Sequence, residues 1–399
     1  MPGKTFVLTL ILAAGAGSVS AFPTFRVVDV NPDAGTGLAI TVADVNRDGR
    51  PDIIGVSSDD VAWYENPTWE RHLMAPTLRN SNVCIAGQDL DGDGIPEFAL
   101  GADWQFNNTA GGGALYLLEH AEDPKALWKV RTLVEECPTL HRIRWFQHAG
   151  KPALAVAPLK GIGTTPPAHQ EKGVELFALT PPPRYFDEAW QRTLIDSSLH
   201  VLHNIWPGAG TPGNDALLAA SFEGVSRFDF DGGAWRKTHL VAGNPAPLPD
   251  SGSGEIKSGN WPGATGVQQV LSTIEPWHGT QAVVYYPDPA KAEGFVRLVV
   301  DDAYKGGHAV YWADFDGDGA DELLAGYREN AGPKNLPGLY CYDFNLAGGK
   351  VDVSKHVVDD GGMATEDAVA ADMNGDGRPD VVAYGRATHN IRYYENQGE

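Results

Sequence analysis

Four stretches of the sequence repeat one arrangement of oxygen donors: DVNRDGRPD from Asp44, DLDGDGIPE from Asp89, DFDGDGADE from Asp314 and DMNGDGRPD from Asp372. Each puts side-chain oxygens at positions 1, 3, 5 and 9, a glycine that permits a sharp turn at 6, and a backbone carbonyl within reach at 7. The candidate ligands are Asp44, Asn46, Asp48, Arg50 and Asp52; Asp89, Asp91, Asp93, Ile95 and Glu97; Asp314, Asp316, Asp318, Ala320 and Glu322; and Asp372, Asn374, Asp376, Arg378 and Asp380. Arg50, Ile95, Ala320 and Arg378 enter through their carbonyls alone. Hard oxygen donors at this density suit Ca²⁺ better than zinc or copper. An EF-hand would continue to a bidentate glutamate at position 12, where the first loop has Gly55, and then into a helix, where this sequence has an apolar strand. The expectation is up to four structural Ca²⁺ ions, each pinning a turn between two strands. One such copy reads equally as a plain acidic turn; the recurrence argues for the ion.

A second set of residues has the makings of acid–base chemistry. Counting back six or seven residues from each such turn, or its counterpart in the middle of the chain, gives His141, His200, Glu255, His308 and Glu366, with His203 and Lys257 nearby. The ends of the strands that follow the turns add Asp103 and Trp104; Glu275, Trp277 and His278; Tyr327, Arg328 and Glu329; and Arg386 and His389. Gathered at one mouth, these groups make a small-molecule site. Singly they are bland. A lone histidine is a surface or inter-strand residue, Glu255 with Lys257 a surface ion pair, Trp104 or Trp277 packing. His72, His239 and His356 fall in outer strands, are expected to face solvent, and receive no role.

What must position these groups is a repeat. A strand ending in an aliphatic pair recurs as WERHLM, WKVRTLV, WQRTLID, WRKTHLV, FVRLVVD and DVSKHVV, and FRVVDV from Phe25 makes a seventh. Three short Val-, Ala-, Leu- and Tyr-rich runs lie between successive copies. The last unit, EDAVAADM, DVVAYG and IRYYEN, lacks its outer strand, and the N-terminal region has one to spare. Pairing FRVVDV with IRYYEN closes a ring and protects the strand edges. The fold class is therefore all-β, a seven-bladed β-propeller with four-stranded antiparallel blades. A two-domain sandwich accounts for neither the count nor the displaced strand.

The acidic loops, each followed by an apolar strand, resemble the FG-GAP/VCBS repeats of secreted and cell-surface propellers. Blades one, two, six and seven carry the signature; WFQHAGKPALAV, IWPGAGTPGNDALLAA and NWPGATGVQQVLST in blades three to five lack its acids. GEIKSGNW, TIEPWHGTQAVVYY and GGHAVYWADFDG are similar to the propeller domain of the aldos-2-ulose dehydratases. That resemblance implies elimination of water from keto-sugars such as 1,5-anhydrofructose. It also implies cupin domains after the propeller; the sequence stops before any, so activity housed there is expected to be absent.

The bulk properties narrow the function. A formal charge of −22 argues against nucleic acid or an anionic membrane as partner. Residues 1–21 read as a signal peptide: Lys4, an apolar run from Phe6 to Ala14, and Val19-Ser20-Ala21 as the cleavage site. Residues 22–399 then form a secreted propeller, with no apolar run long enough for membrane insertion. Cys84, Cys137 and Cys341 are too few for a disulfide framework, although Cys84–Cys137 could pair. The sequence lacks G-x-S-x-G, H-E-x-x-H and a P-loop, which disfavours serine hydrolases, zincins and nucleotide enzymes.

The expected function is a secreted carbohydrate lyase or dehydratase acting on a small sugar or glycan. β-Elimination beside a carbonyl needs a base, a partner for the enolate and an acid for the leaving oxygen. His278 is the first choice of base and His308 the second; Lys257 or Arg328 would hold the enolate oxygen. Alternatively His141, His200 and Glu255 would bind an additional divalent metal at the central mouth. Trp104 and Trp277 would stack on the sugar, with Glu275, His203 and His389 completing the binding site. Two rivals remain: a non-catalytic glycan- or protein-binding propeller, and a uronate polysaccharide lyase, which the acidity of the chain disfavours.

Overall fold

A computed structural model of the chain describes residues 22–398 apart from positions 77, 212, 264–265, 289, 292–293 and 346–349. The proposed signal peptide, residues 1–21, lies outside the described residues. No described helix is long and apolar enough to cross a membrane.

The chain forms seven four-stranded antiparallel sheets. Blade 1 comprises β2 (Gly37–Ala43), β3 (Asp52–Ser57), β4 (Asp60–Glu65) and β5 (Glu70–Pro76). Blade 2 comprises β6 (Cys84–Gln88), β7 (Glu97–Ala102), β8 (Ala114–Glu119) and β9 (Lys129–Val134). Blade 3 comprises β10 (Leu140–His148), β11 (Lys151–Pro158), β12 (Leu176–Thr180) and β13 (Gln191–Asp196). Blade 4 comprises β14 (Asn204–Thr211), β15 (Asn214–Ser221), β16 (Gly224–Asp231) and β17 (Ala234–Val241). Blade 5 comprises β18 (Lys257–Gly263), β19 (Gly266–Glu275), β20 (Gln281–Pro287) and β21 (Phe295–Asp301). Blade 6 comprises β22 (Lys305–Ala313), β23 (Glu322–Glu329), β24 (Gly338–Asn345) and β25 (Asp352–Asp360). Blade 7 joins β26 (Thr365–Ala371), β27 (Asp380–Gly385) and β28 (Ile391–Asn396) to the N-terminal β1 (Phe25–Asn31).

The expected ring closure is present. β1 pairs with β28 in the register Phe25↔Asn396 to Asp29↔Arg392. The two ends of the chain thus close one blade, with β1 covering the outer edge of β28.

Burial explains the strand compositions. β3, β7 and β27 are buried at every residue because neighbouring blades cover both of their faces, so they read as apolar runs without alternation. Outer strands such as β9 and β17 are largely exposed. The core is divided along the blade seams: Trp63 and Phe98 between blades 1 and 2, Leu115 and Ile143 between 2 and 3, Ala155 and Leu217 between 3 and 4, and so on round the ring to Ile53 and Tyr384 between 1 and 7. Close approach needs small residues at the seams. A Cβ at Gly326 would lie 2.5 Å from Thr365 Cγ2 of the next blade.

Two expectations are corrected here, and the question of a disulfide is answered. His72 is buried against Trp63, with ring centroids 4.5 Å apart, rather than solvent-facing. His356 is half-buried and stacks on Phe22; the first residues of the described chain cover the outer strand there. Cys84, Cys137 and Cys341 are all free and buried.

Candidate functional site

The inner strands β2, β6, β10, β14, β18, β22 and β26 line the axis, and each runs from one face of the ring to the acidic-turn face. At the opposite face the inner strands are irregular in a repeated way. Register shifts fall between Gly37 and Ala39, Leu140 and Arg142, Gly307 and Ala309, and Thr365 and Asp367. The displaced residues are Leu38, His141, His308 and Glu366, and all four line one cavity of about 390 Å³. A bulge re-aims a side chain that regular pairing would bury in the blade. In blade 4, His203 immediately precedes β14 and reaches the same centre.

Three imidazoles are oriented alike. His141 Nδ1 donates to His203 O at 2.8 Å, His203 Nδ1 to Gly254 O at 2.9 Å, and His308 Nδ1 to Glu366 O at 2.5 Å. Each acceptor lies on the following blade, so blade packing sets the tautomer and leaves an Nε2 lone pair facing inward. His278 differs. Arg328 donates to its Nδ1 at 3.1 Å, which leaves the ring proton on Nε2, 2.6 Å from His203 Nε2. Burial holds His141, His278 and His308 well below the usual imidazole range, and their cationic and imidazole neighbours push the same way. His203 is also lowered, by burial first.

Around the imidazoles is a charged frame. Arg142 spans their centre: Nη1 is 3.4 Å from His141 Nε2, and Nη2 is 3.4 Å from His308 Nε2 and 3.6 Å from Glu255 Oε1. Burial alone would raise the Glu255 carboxyl, but His203, Arg142 and Lys257 outweigh it and hold the group down to about 2. Glu366 bridges Arg328 at 2.9 Å and Arg386 at 2.7 Å. Aromatic residues form the rim. Phe106 is 42% exposed and stacks on Trp277 at 5.9 Å, while Trp104 packs 5.0 Å from His141. Lys160 covers Phe106, its Nζ 3.6 Å from the ring centroid. Leu159, Val201 and Phe222 support Trp104 and Trp277 from beneath. The Trp277 loop can descend this far because Gly254 has no side chain; a Cβ there would meet Trp277 O at 1.9 Å.

The structure sorts the sequence-predicted residues. His141, His308, His278, Trp104, Trp277 and Arg328 line the mouth, and His203 and Glu255 support it from below. His200 does not belong. It is held by Glu223, Nδ1 to Oε1 at 2.7 Å; the count back from the blade-4 turn lands four residues before the start of β14, past His203. Glu275 is fully buried in its own blade, where Tyr285 donates at 2.6 Å and Arg297 at 2.6 Å; as the last residue of β19 it turns away from the mouth. His389 is exposed in the β27–β28 turn and contributes only a carbonyl, to Ala34. Lys257 lines a second cavity below Arg142 instead of the mouth. Sequence reading missed Arg142, Arg144, Asp367, Phe106 and Lys160. HRIRW, with two arginines at alternate positions of an otherwise apolar inner strand, was the available signal for the first two.

Two kinds of cation site can be tested for fit. His203, His278 and His308 each bring a ring nitrogen within 4.8 Å of the others. His203 and His308 are preset as ligands; His278 would have to move its proton from Nε2 to Nδ1 and give up its bond from Arg328. The set fits a divalent cation with that adjustment. On the opposite face, Asp314, Asp316, Asp318 and Glu322, and likewise Asp89, Asp91 and Glu97, meet the same distance condition. In every loop the first aspartate accepts backbone N–H groups, as Asp314 does from Gly317 at 2.7 Å and Gly319 at 3.0 Å. The ninth residue accepts from the second, as Glu322 does from Phe315 at 2.7 Å. Glu97 Oε1 is buried without a hydrogen-bond partner among the described residues, as an oxygen awaiting a cation would be. The loops at Asp44 and Asp372 have an amide at the third position. Asn46 and Asn374 turn their NH₂ groups toward Asp48 and Asp376, so these sites are less anionic.

Comparison with known proteins agrees with the fold. Residues 112–288 match the family model for the aldos-2-ulose dehydratase β-propeller domain, and residues 44–100 and 314–383 match FG-GAP-like repeats. Aldos-2-ulose dehydratase of Phanerodontia chrysosporium is 27% identical over 256 residues, a match covering 58% of this chain and 27% of that protein. The chain therefore aligns with only about a quarter of that relative. Among solved structures, a chain of the mitotic checkpoint complex superposes with a TM-score of 0.57 at 12% identity, covering 99% of this chain and 100% of that one. A chain from the complex of BBS1N with ARL6DN gives 0.56 at 11% identity, covering 94% and 97%. At these identities the structural likeness concerns the fold alone. The chain is a seven-bladed propeller with FG-GAP-like repeats on one side of the ring, and its middle blades resemble the propeller domain of aldos-2-ulose dehydratase.

Proposed function

We propose that the mouth eliminates water from a keto-sugar of the aldos-2-ulose or 1,5-anhydrofructose type, in a secreted propeller whose acidic turns hold Ca²⁺. The observation that carries this reading is the group of four imidazoles drawn from blades 3 to 6 around one cavity, three of them with Nδ1 tied to the next blade. The sugar ring would rest on Trp104 and Trp277, whose faces suit the C–H face of a pyranose. His141 is the best-placed base: it lines the cavity, lies against Trp104, and its Nε2 lone pair meets only a long 3.4 Å contact from Arg142, while burial holds its pKa well below the ordinary imidazole value. His278, the first choice from sequence, has both nitrogens engaged.

The α-proton passes from carbon to His141 Nε2, and the electron pair moves to the carbonyl oxygen. The resulting enolate meets the Arg142 guanidinium, a fixed cation beside the base. As the enolate collapses and the C–O bond breaks, the His141 imidazolium returns the proton to the departing hydroxyl as water. A divalent ion held by His203, His278 and His308 would add Lewis-acid polarisation of the carbonyl when bound. Ca²⁺ in the turns would fix the blade ends and take no part.

An ultraviolet scan of the protein with 1,5-anhydrofructose, with and without chelator, tests this reading. The expected result is a rising enone absorbance that His141→Ala removes. A flat trace from folded, calcium-loaded protein would replace elimination with glycan binding on the Trp104–Phe106–Trp277 shelf.

A further inference from the structure

A second cavity, of about 300 Å³, lies in the channel on the acidic-turn side of Arg142, which lines both cavities. In a chain of net charge −22 its charged lining is mostly cationic: Arg142, Arg144 and Lys257 against Asp367. Glu255 already answers Arg142 from the mouth side at 3.6 Å. Without that pair, two cations face one carboxylate, a surplus of a single positive charge.

The surplus cations lack carboxylate partners within 4 Å among the described residues. Lys257 is 6% exposed, and its Nζ lies 4.4 Å from the centroid of the Trp206 ring. It makes no hydrogen bond and no ion pair within 4 Å among the described residues. Arg144 also lies over Trp206, at 5.6 Å. It spends one N–H on the Ile143 carbonyl, and its Nε is buried with no acceptor among the described residues. Asp367 does not repair the imbalance, because its oxygens accept from the Ile40 and Ala368 N–H groups at 3.1 and 3.0 Å. Burying an ammonium without a hydrogen-bond acceptor is costly, and natural interiors pair such groups. Beside these donors Trp206 and Tyr311 form an apolar wall, with ring centroids 6.3 Å apart.

We propose that this cavity binds a small organic monocarboxylate, its carboxylate between Lys257 and Arg144 and its carbon frame against Trp206 and Tyr311. One negative charge satisfies the surplus, and charge-assisted N–H···O⁻ bonds supply the missing acceptors. A dicarboxylate would leave a second charge unanswered, and a neutral sugar, although its hydroxyls can accept hydrogen bonds, would leave the surplus positive charge unanswered. The site is separate from the mouth and does not depend on elimination there.

Calorimetric titration of the full chain at low ionic strength tests the proposal, with D-glucuronate and phenylacetate as monocarboxylates and D-glucose as the neutral control. At least one carboxylate should bind with 1:1 stoichiometry, about tenfold or more tighter than glucose. Lys257→Met should weaken it about tenfold or more, Asp367→Asn should tighten it, and His308→Ala at the mouth should leave it unchanged. Failure of both carboxylates to bind overturns the proposal, as does equal affinity in the folded Lys257→Met protein. Loss with His308→Ala would put the ligand at the mouth and overturn it equally. Should Lys257→Met not fold, unchanged or weaker binding in Asp367→Asn overturns it.

Discussion

The two faces of the ring solve the problem of placing charge in opposite ways. On one face each acidic turn is a nine-residue unit whose carboxylates are held by their own loop: Asp44 accepts from Asp48 and Gly49, and Asp372 from Gly375, Asp376 and Gly377. On the other face no blade contains the site. His141 is oriented by blade 4, His203 by blade 5 and His308 by blade 7, and Arg142 joins them. The difference also divides the blades. Blades 1, 2, 6 and 7 carry the acidic turn, while blades 3 to 5 lack it and supply His141, His203, Glu255 and His278. A local site can be lost from one blade without harm to the next; a shared site ties each blade to its neighbours.

The most severe break of the shared site is His141→Ala. It should lower kcat/KM for the keto-sugar about 10²- to 10⁴-fold, the usual worth of a positioned base, with no loss of fold by circular dichroism. A similar turnover in the variant would return the mouth to a binding role. Next in size is Glu275→Ala, which separates the two faces from the blade interior. It removes a buried carboxylate from the half-buried Arg297 and from Tyr285, and should cost about 1–3 kcal/mol by urea unfolding. Turnover per folded molecule should stay near that of the parent; a selective loss of turnover would restore Glu275 to the site.

The acidic face is sharpened by exchanging loop types. Asp316→Asn converts the all-acid turn of blade 6 into the amide-bearing type of blades 1 and 7. It should weaken one Ca²⁺ about tenfold or more in a chelator competition, and it should leave the mouth unaltered. Coupled loss of turnover would show that the faces communicate.

Smaller still is a pH effect at the rim. Burial pushes the Lys160 ammonium down to about 8 from 10.5. Between those values the unfolded chain binds a proton that the folded chain does not, so this group makes stability rise as pH climbs from about 8 to 10.5. Lys160→Met should flatten that part of the urea-midpoint profile. An unchanged slope would mean that Lys160 is solvated. The smallest effect is expected at His389→Asn. Asparagine tolerates the positive φ of 56° there, so both turnover and unfolding midpoint should match the parent.

How much was legible follows the same division. The acidic turns could be read residue by residue because their spacing is their structure. So could the ring closure, since FRVVDV is an outer strand with no blade of its own beside it in the sequence. The mouth was legible only by type. His141 and His308 were found by counting back from the turns and His278 at a strand end; the count also took up His200, and the strand ends Glu275 and His389, which lie outside the cavity. The count assumes regular strands, whereas the mouth residues sit at bulges and in loops of unequal length. Arg142 was missed because it follows His141 directly. In an unbroken strand adjacent residues face opposite sides; the register shift at His141 lets both face the axis.

By itself, then, the sequence determined the period, the number of blades, the displaced closing strand and the four acidic turns. All of these are written in contiguous residues and local hydrogen bonds. Only the tertiary structure decided which histidines meet, which nitrogen each turns inward, and that Lys257 belongs to a second cavity rather than the mouth. Those properties depend on where one blade's carbonyls and cations fall against the side chains of another, distances that no spacing along the chain records.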